Sequence, residues 1–245
     1  MPPADELARV LDRLYAEQLA LTPHDHYLRE HARPHVIATQ VRVFNWYVPL
    51  LGDCLQPNAR IVDWGCRHAP DSCLLRAAFG HQFCLSGTDL EPPGRFEAFH
   101  RFAEVEYRPL NCVFRLPYPD ASLDVVIGSG TLEHVAQDYE SLKEIWRTLR
   151  LGGRVVITYL PNRWSVDEWW RRHVKKAGYH PRLYSAGQLR QMFLHHGFRP
   201  LALGYQTTAD ALPGGEGWKW AAKAVGAHRF TSTLCAVAEK VAAME

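Results

Sequence analysis

The chain has 245 residues, 28 Lys and Arg against 26 Asp and Glu, a formal net charge of +2, and 47% hydrophobic residues. A chain of this length can bury a full apolar core, so folding needs no structural metal ion or disulfide. The near-zero charge argues against affinity that comes from neutralising phosphates, and we therefore expect no nucleic-acid partner.

The six Cys residues form no C-x-x-C pair and lie mostly in apolar stretches, which is typical of reduced core thiols. No basic and apolar leader opens the sequence, and no run of about 18 apolar residues occurs. These features predict a cytoplasmic protein without a transmembrane helix, and they leave peripheral contact with a membrane open. The oligomeric state is not indicated.

Residues 1–56 are predicted to form an N-terminal helical region, because apolar residues such as Leu7, Leu11 and Leu14 recur at helical spacing. From residue 57 onward, short runs rich in Val, Ile and Leu alternate with helical patterns, which is typical of βαβ units and a parallel sheet. The predicted strands are Arg60–Trp64, Phe83–Asp89, Val105–Leu110, Leu123–Gly128, Arg154–Leu160, Arg199–Thr207 and Ser232–Glu239.

Helices are predicted between these strands, over Asp71–Phe79 and Tyr139–Leu149, with Gly152-Gly153 as the stop of the second. A further helix is predicted from Ser185, whose hydroxyl can form a capping box with Gln188. The segment 161–184, which precedes this helix, is dense in Trp, Arg and His. It is predicted to be a cap-like insertion over a site within a domain that covers 57–245.

Ligands of an open parallel sheet bind beyond the carboxyl ends of its strands, so the residues after each strand are informative. Asp63 and Gly65 lie at the end of the first strand, before a helix whose first-turn amides can face a ligand. Asp89 follows the second strand, where a carboxylate can accept hydrogen bonds from vicinal ribose hydroxyls.

Five fragments, IVDWGC, GTDLEP, LPYPDASLDVV, LEHV and LRLGGRVVI, occur in an order and spacing that resemble the motifs of class I S-adenosylmethionine-dependent methyltransferases. The resemblance covers roughly Arg60 to Leu160. It implies an α/β, Rossmann-like, seven-stranded, mostly parallel sheet with an antiparallel last strand and helices on both faces. It also implies S-adenosyl-L-methionine as cofactor, lying across the carboxyl ends of the first four strands.

The resemblance further implies a set of cofactor-binding residues. The loop usually continues with glycines where this chain has Arg67 and Ala69, and a usual acidic residue is replaced by Cys112. A non-glycine residue in left-handed conformation costs about 1 kcal/mol, so the loop can follow another path. The implied set comprises Asp63, Gly65, Cys66 and Arg67 at the methionine end, Asp89 and Leu90 at the ribose, Asn111, Cys112 and Val113 at the adenine, and Ser129 and Gly130 beside the sulfonium.

His134 is the candidate catalytic residue, because it follows the fourth strand within reach of the transferred methyl group and can act as general base for a hydroxyl acceptor. The alternative is a structural role in orienting the loop. Methyl transfer itself depends largely on positioning, so we expect no metal ion. The H-x-H-x4-H pattern at His24, His26 and His31 lacks the spacing of a closed zinc site.

Candidate acceptor-binding residues lie in and after the insertion. His180, Arg182 and Tyr184 alternate and would project one way from an extended segment, or they form an ordinary solvated connection. Trp164, in a stretch rich in Trp, Arg and Lys, can line an acceptor site, stack on a sugar or touch anionic head groups; a packed cap helix is the alternative.

The resulting hypothesis is a methyltransferase that acts on a small-molecule, glycan or lipid acceptor, most simply by O-methylation. The N/D-P-P-Y/F motif of enzymes that methylate nucleobase amines is absent, since GSGTLEHV occupies its place, so oxygen or carbon acceptors are favoured. One alternative is a catalytically inactive binding or regulatory protein with this fold. A nicotinamide-dependent dehydrogenase is disfavoured, because Gly65-x-Arg67-x-x-Pro70 does not provide the required G-x-G-x-x-G turn.

Overall fold

A computed structural model describes residues 1–112, 114–178, 180–206 and 233–241. A 3-10 helix over Val48–Cys54 and a π-helical turn over Arg171–Lys175 accompany the regular elements. The helices are α1 (Ala4–Leu21), α2 (His26–His31), α3 (Pro34–Tyr47), α4 (Pro70–Phe79), α5 (Glu97–Ala103), α6 (Asp138–Thr148), α7 (Val166–Trp170) and α8 (Ala186–His195). The strands are β1 (Arg60–Trp64), β2 (Cys84–Thr88), β3 (Glu106–Tyr107), β4 (Leu123–Ser129), β5 (Leu149–Pro161), β6 (Phe198–Gln206) and β7 (Thr233–Lys240).

The strands form one seven-stranded sheet in the order β3-β2-β1-β4-β5-β7-β6. The first five strands pair in parallel, whereas β7 runs antiparallel to both of its neighbours, β5 and β6. This topology confirms the predicted mostly parallel sheet with an antiparallel last strand.

The period-2 alternation of strand side chains divides the core into two apolar clusters, one on each face of the sheet. On one face, Ile61 and Val125 pack with the N-terminal helices, α4 and α5. On the other face, Val62 and Val126 pack with α6 and α8. The region predicted as an N-terminal helical segment therefore shares its apolar core with the sheet. The same alternation directs the side chain of Asp63, the neighbour of Val62 in β1, toward the N-terminal helices.

Two predicted boundaries were wrong at the fifth strand. The helix α6 ends at Thr148, and β5 begins at Leu149, five residues before the predicted start. The cause is a bulge, because Leu149 pairs with Leu123 while Arg154 pairs with Val125, two residues further along β4. Gly152, with a φ of 76°, lies inside this bulge rather than at the end of the helix.

The capping box predicted from sequence is present at the start of α8, where the Ser185 side chain accepts a hydrogen bond from the Gln188 amide.

The insertion between β5 and α8 contains α7 and the π-helical turn, and the side chains of Trp164, Trp169 and Trp170 are exposed there. None of the described helices is both long enough and apolar enough to cross a membrane.

Candidate functional site

A cavity of about 760 Å³ lies at the carboxyl ends of β1, β2 and β4. Its sheet side is lined by Asp63, Asp89 and Ser129, at or just beyond the ends of these strands, as ligand sites of open parallel sheets require. The opposite wall comes from α2 and α3 and includes His31 and Gln40. The N-terminal helices thus help enclose the site, a role that no motif in the sequence indicated.

The loop between β1 and α4 keeps the left-handed turns of a glycine-rich loop although two of its residues are not glycine. Arg67 and Ala69 have φ angles of 45° and 51°. Gly65 has a φ of 68°, and a Cβ atom there would lie 2.5 Å from the side chain of Thr131. Only a residue without a side chain fits at Gly65, whereas the other two positions tolerate the strain.

Hydrogen bonds and a ring contact hold Arg67 in this strained conformation. Its amide donates to Oδ2 of Asp89 at 2.9 Å, and its carbonyl oxygen accepts from Nε2 of His100 at 2.6 Å. Its guanidinium carbon lies 4.7 Å from the centre of the Tyr27 ring, a cation–π contact. The path of the loop is therefore set by α2, α5 and the end of β2.

Asp89, the predicted ribose ligand, lies at the cavity wall and is half-buried. Besides the Arg67 amide, its carboxylate accepts hydrogen bonds from the amides of Leu90 at 2.6 Å and Glu91 at 3.2 Å. A carboxylate has about four lone-pair sites, so acceptor capacity remains for a ligand hydroxyl. Asp89 thus holds the loop between β1 and α4, here called the cofactor loop, and is also a candidate to bind the ribose.

A second buried carboxylate, Asp71, lies beside Asp63 at the sheet side of the cavity, although no sequence motif indicated it. Its two oxygens accept hydrogen bonds from Tyr47 at 2.7 Å and Ser129 at 2.6 Å. Burial raises the pKa of Asp71, and burial followed by the charge of Asp71 raises the pKa of Asp63. The donors bonded to Asp71 are neutral hydroxyls, so a cationic ligand group would stabilise this pair.

Ser129 and Gly130, predicted to lie beside the sulfonium, line the same cavity at the end of β4. The Ser129 hydroxyl also accepts a hydrogen bond from Thr158 at 2.8 Å. The amide of Gly130 donates to the Thr158 carbonyl at 3.0 Å, and Thr131 donates to the Trp64 carbonyl at 3.0 Å. These contacts tie the end of β4 to β5 and β1 and fix the start of the following loop.

That loop carries Glu133 and His134, which meet His180 of the insertion at the cavity. One candidate ligand atom from each of the three side chains lies within 4.8 Å of the other two. Burial raises the pKa of Glu133 to about 7. Burial, followed by the charge of His180, lowers the pKa of His134, whose side chain is 59% exposed. Its imidazole is accordingly accessible and tends to be neutral.

His180 is oriented by a buried carboxylate of α7. Its Nδ1 atom lies 2.6 Å from Oε1 of Glu168, whose side chain is 2% exposed. This hydrogen bond is the main cause that raises the pKa of His180. The neighbouring Arg172 donates to the His180 carbonyl at 2.6 Å. The insertion thus delivers one imidazole to the cavity in a fixed orientation.

The other predicted acceptor residues lie away from the cavity. Arg182 donates to the Val135 carbonyl and so anchors the loop after β4. Tyr184 is buried and donates to Asp138 at 3.0 Å, at the start of α6. Of the three alternating side chains, His180 therefore lines the cavity, whereas Arg182 and Tyr184 hold the loop that carries His134. Trp164 is 57% exposed and lies outside the cavity wall.

Of the residues predicted at the adenine end, Asn111 and Cys112 do not belong to the described cavity wall. Leu90, predicted at the ribose, does line the cavity, as does the neighbouring Leu110. Val113 lies outside the described residues. Contact of Asn111, Cys112 and Val113 with an adenine stays a prediction. Leu110 adds an apolar side chain that no sequence motif indicated.

His68 lies at the base of the cavity, between the loop that follows β1 and the N-terminal helices. It is completely buried, and Tyr15 lies 2.7 Å from its Nε2 atom while Tyr27 lies 3.4 Å from its Nδ1 atom. Burial lowers the pKa of His68 well below its usual value and raises that of Tyr27 to about 12. The base of the cavity is consequently a neutral, hydrogen-bonded aromatic cluster.

Several known proteins are similar to this chain in sequence. A candidate S-adenosylmethionine-dependent methyltransferase of Mycolicibacterium smegmatis is 33% identical over 98 residues, which are 40% of this chain and 37% of that protein. The 27-O-demethylrifamycin SV methyltransferase of Amycolatopsis mediterranei is 28% identical over 158 residues, 62% of this chain and 55% of that protein. The chain thus spans about a third to about half the length of these relatives.

Solved structures share the fold at low sequence identity. A candidate sarcosine dimethylglycine methyltransferase from Galdieria sulphuraria has a TM-score of 0.62 and 14% identity, over 85% of this chain and 88% of that chain. The geranyl diphosphate C-methyltransferase from Streptomyces coelicolor has a TM-score of 0.56 and 16% identity, over 81% of this chain and 78% of that chain. A family model described as a methyltransferase domain matches residues 30–203, most of the chain. The chain therefore belongs to this methyltransferase domain family, and its sheet has the fold of the methyltransferase structures to which it is similar.

Proposed function

We propose that this methyltransferase methylates an oxygen of a small-molecule or glycan acceptor that binds between the N-terminal helices and the loop after β4. The observation that carries the proposal is the position of His134. Its accessible imidazole lies in the same cavity wall as Ser129 and Gly130, where the family resemblance puts the sulfonium. An acceptor oxygen that reaches the methyl group would therefore lie within reach of this side chain.

The residues at the sheet side of the cavity fit S-adenosylmethionine. The molecule carries a positive amino group and a positive sulfonium, and it supplies the methyl group as an electrophile. Asp63 and Asp71 are buried carboxyl groups whose ionised forms a nearby cation would stabilise, and the hydrogen-bond donors to Asp71 are neutral hydroxyls. Asp89 retains acceptor capacity for the ribose hydroxyls. Asp63 and Asp71 would accordingly hold the cationic end and Asp89 the sugar.

The same observations weaken the alternative of an inactive protein with this fold. That alternative rested on the absence of glycine at Arg67 and Ala69 and of an acidic residue at Cys112. Arg67 and Ala69 nevertheless adopt left-handed φ angles, so the loop keeps the shape that glycines would allow.

The opposite wall is suited to a polar acceptor. It includes the side chains of Tyr27, His31, Thr39 and Gln40, which can donate or accept hydrogen bonds. The volume of about 760 Å³ lies within the range of roughly 300–1,000 Å³ that small-molecule sites occupy. One relative is named for a 27-O-demethyl substrate, which favours an oxygen acceptor.

Within this proposal, His134 accepts the proton of the acceptor hydroxyl, the role that the sequence predicted. Arg182 and Tyr184 position its loop, and His180 faces it, with ring centres 6.0 Å apart. A lipid acceptor and a cytoplasmic location stay predictions. The exposed side chains of Trp169 and Trp170 are the apolar groups that a membrane surface would meet.

The test combines calorimetry with an acceptor screen. S-adenosylmethionine is titrated into the full chain, and formation of S-adenosylhomocysteine is then measured with hydroxyl, amine and activated-carbon acceptors. We expect saturable binding and turnover with a hydroxyl acceptor that His134→Gln lowers by about 100-fold or more without changing cofactor affinity. His195→Gln, on the exposed face of α8, is the control. Turnover confined to amines or carbon, or a fully active His134→Gln variant, would refute the proposal.

A further inference from the structure

Glu133, His134 and His180 bring one carboxylate and two imidazoles together at the cavity, although His180 is separated from the other two by the whole of α6 and β5. Their candidate ligand atoms all lie within 4.8 Å of one another. Within the described ranges, this group is the one set of three such side chains close enough to share a metal ion. Two imidazoles and one carboxylate are a common ligand set for divalent transition metals.

The Glu133 carboxylate is the second observation that points to a ligand. Its side chain is only 2% exposed, and its Oε2 atom is buried without any hydrogen-bond partner. Its Oε1 atom lies 3.8 Å from Nε2 of His134, which is beyond hydrogen-bond distance. A buried carboxylate with an unpartnered oxygen is costly, and a bound cation would compensate that cost.

His180 has the arrangement expected of an imidazole prepared for a metal. Its Nδ1 atom is engaged by Oε1 of Glu168 at 2.6 Å, and its backbone amide donates to Oε2 of the same residue at 3.3 Å. When Nδ1 carries the proton for this bond, Nε2 has its lone pair free toward the cavity. Metal-binding histidines typically donate their second ring nitrogen to a carboxylate in this way.

We propose that Glu133, His134 and His180 bind a divalent transition-metal cation, such as Mn²⁺ or Co²⁺, and that this cation holds the acceptor oxygen. This inference rests on the proposed function for the acceptor, and it replaces the sequence-based expectation of no metal ion. With the cation bound, the His134 imidazole is a ligand and water takes the proton, whereas without the cation His134 keeps the role of proton acceptor given above.

The geometry requires only side-chain adjustment. Bonds of about 2.0–2.2 Å place two ligand atoms roughly 3–4 Å apart, slightly closer than the separation of up to 4.8 Å in this cluster. The ring of His134 is exposed and can rotate, whereas Glu133 and His180 are held by burial and by Glu168. The approach of His134 would then complete the site.

Three protein ligands leave coordination positions open for acceptor oxygens and water. A hydroxyl bound to a divalent cation would have a lowered pKa and would release its proton to water in the open cavity. The oxygen would then use its electron pair to bond to the methyl carbon, while the carbon–sulfur bond of S-adenosylmethionine breaks and its electron pair stays on sulfur. An acceptor with two neighbouring oxygens, such as a vicinal diol, can chelate the cation. This chemistry predicts an oxygen acceptor and specificity for such a pair of oxygens.

The test measures cation binding independently of turnover. The untagged full chain is freed of metal with a chelator and titrated with Co²⁺, whose binding is followed by visible absorption and calorimetry. We expect one site per chain, a loss of affinity of about 100-fold or more in Glu133→Gln and His180→Gln, and about 10- to 100-fold in Glu168→Gln. His195→Gln should bind Co²⁺ like the wild type. Circular dichroism checks that each variant is folded.

The outcomes separate this inference from the function on which it rests. Absence of saturable Co²⁺ and Mn²⁺ binding, or binding that Glu133→Gln and His180→Gln leave unchanged, overturns the cation site. Calorimetric titration with S-adenosylmethionine, without any cation, tests the other proposal independently. A chain that binds the cofactor and methylates a hydroxyl in the presence of chelator retains the function and loses the cation site.

Discussion

The main-chain amide of Arg67 donates a hydrogen bond of 2.9 Å to the Asp89 carboxylate, which joins the loop after β1 to the end of β2. Asp89 therefore stabilises the cofactor loop in addition to the ribose contact implied by the sequence. Because the loop has no glycine at Arg67, whose φ is 45°, this bond also offsets part of a strained conformation.

Replacing Asp89 with Ala removes the hydrogen bond to the Arg67 amide and the predicted contact with the ribose. We expect S-adenosylmethionine affinity to fall by about fivefold or more, equivalent to about 1 kcal/mol or more, the scale of a hydrogen bond to a charged group. Calorimetric titration checks this prediction. Glu106→Gln is the control, because it removes an exposed carboxylate paired with Arg108 outside the cavity. Unchanged affinity in Asp89→Ala would contradict the ribose assignment.

Asp71 should influence cofactor binding through its charge. We expect Asp71→Asn to weaken S-adenosylmethionine binding by about tenfold, because an amide keeps an acceptor for Tyr47 but carries no charge. The pKa of Asp71 is raised by burial, so lowering the pH adds a proton that competes with a cationic ligand. Wild-type affinity should therefore decrease as the pH is lowered, and less steeply in Asp71→Asn. Equal pH profiles for the two chains would exclude this role.

Gly65 and Gly187 should respond in opposite directions to substitution by Ala. A Cβ at Gly65 meets the Thr131 side chain at 2.5 Å on a backbone with a φ of 68°, whereas a Cβ at Gly187, in α8, meets nothing within 4 Å. We expect Gly65→Ala to lower the free energy of unfolding by about 2 kcal/mol or more, and Gly187→Ala to raise it by about 0.5 kcal/mol. Urea denaturation measures both changes. An unchanged free energy of unfolding in Gly65→Ala would mean that the loop relaxes to accommodate the Cβ.

His68 should make stability depend on pH. Burial lowers its pKa in the folded chain below the unfolded value of about 6.5, so the unfolded state binds more protons as the pH falls. The stabilising contribution of the neutral ring is present above about pH 6.5 and is lost at lower pH. His68→Phe should flatten the decrease in unfolding free energy between about pH 8 and pH 5, relative to the wild type. A profile as steep as that of His195→Gln would assign the decrease to other groups.

The sequence determined the parallel sheet and the strand ends that carry the candidate cofactor residues. Alternation of side chains is a local property, and glycine and acidic residues directly after a strand are read from the chain itself. Asp63, Gly65, Asp89 and Ser129 accordingly line one cavity, while their contacts with a cofactor stay predictions. The capping box at Ser185 is equally local and is present.

The tertiary structure decided what no local pattern contains. Asp71 became a site residue because Tyr47 and Ser129, distant in sequence, surround its carboxylate. The insertion brought His180 to Glu133 and His134, while Arg182 and Tyr184 became supports of a loop. Such groupings depend on how the N-terminal helices and the insertion pack onto the sheet, since long-range packing, and not residue spacing, sets which side chains meet.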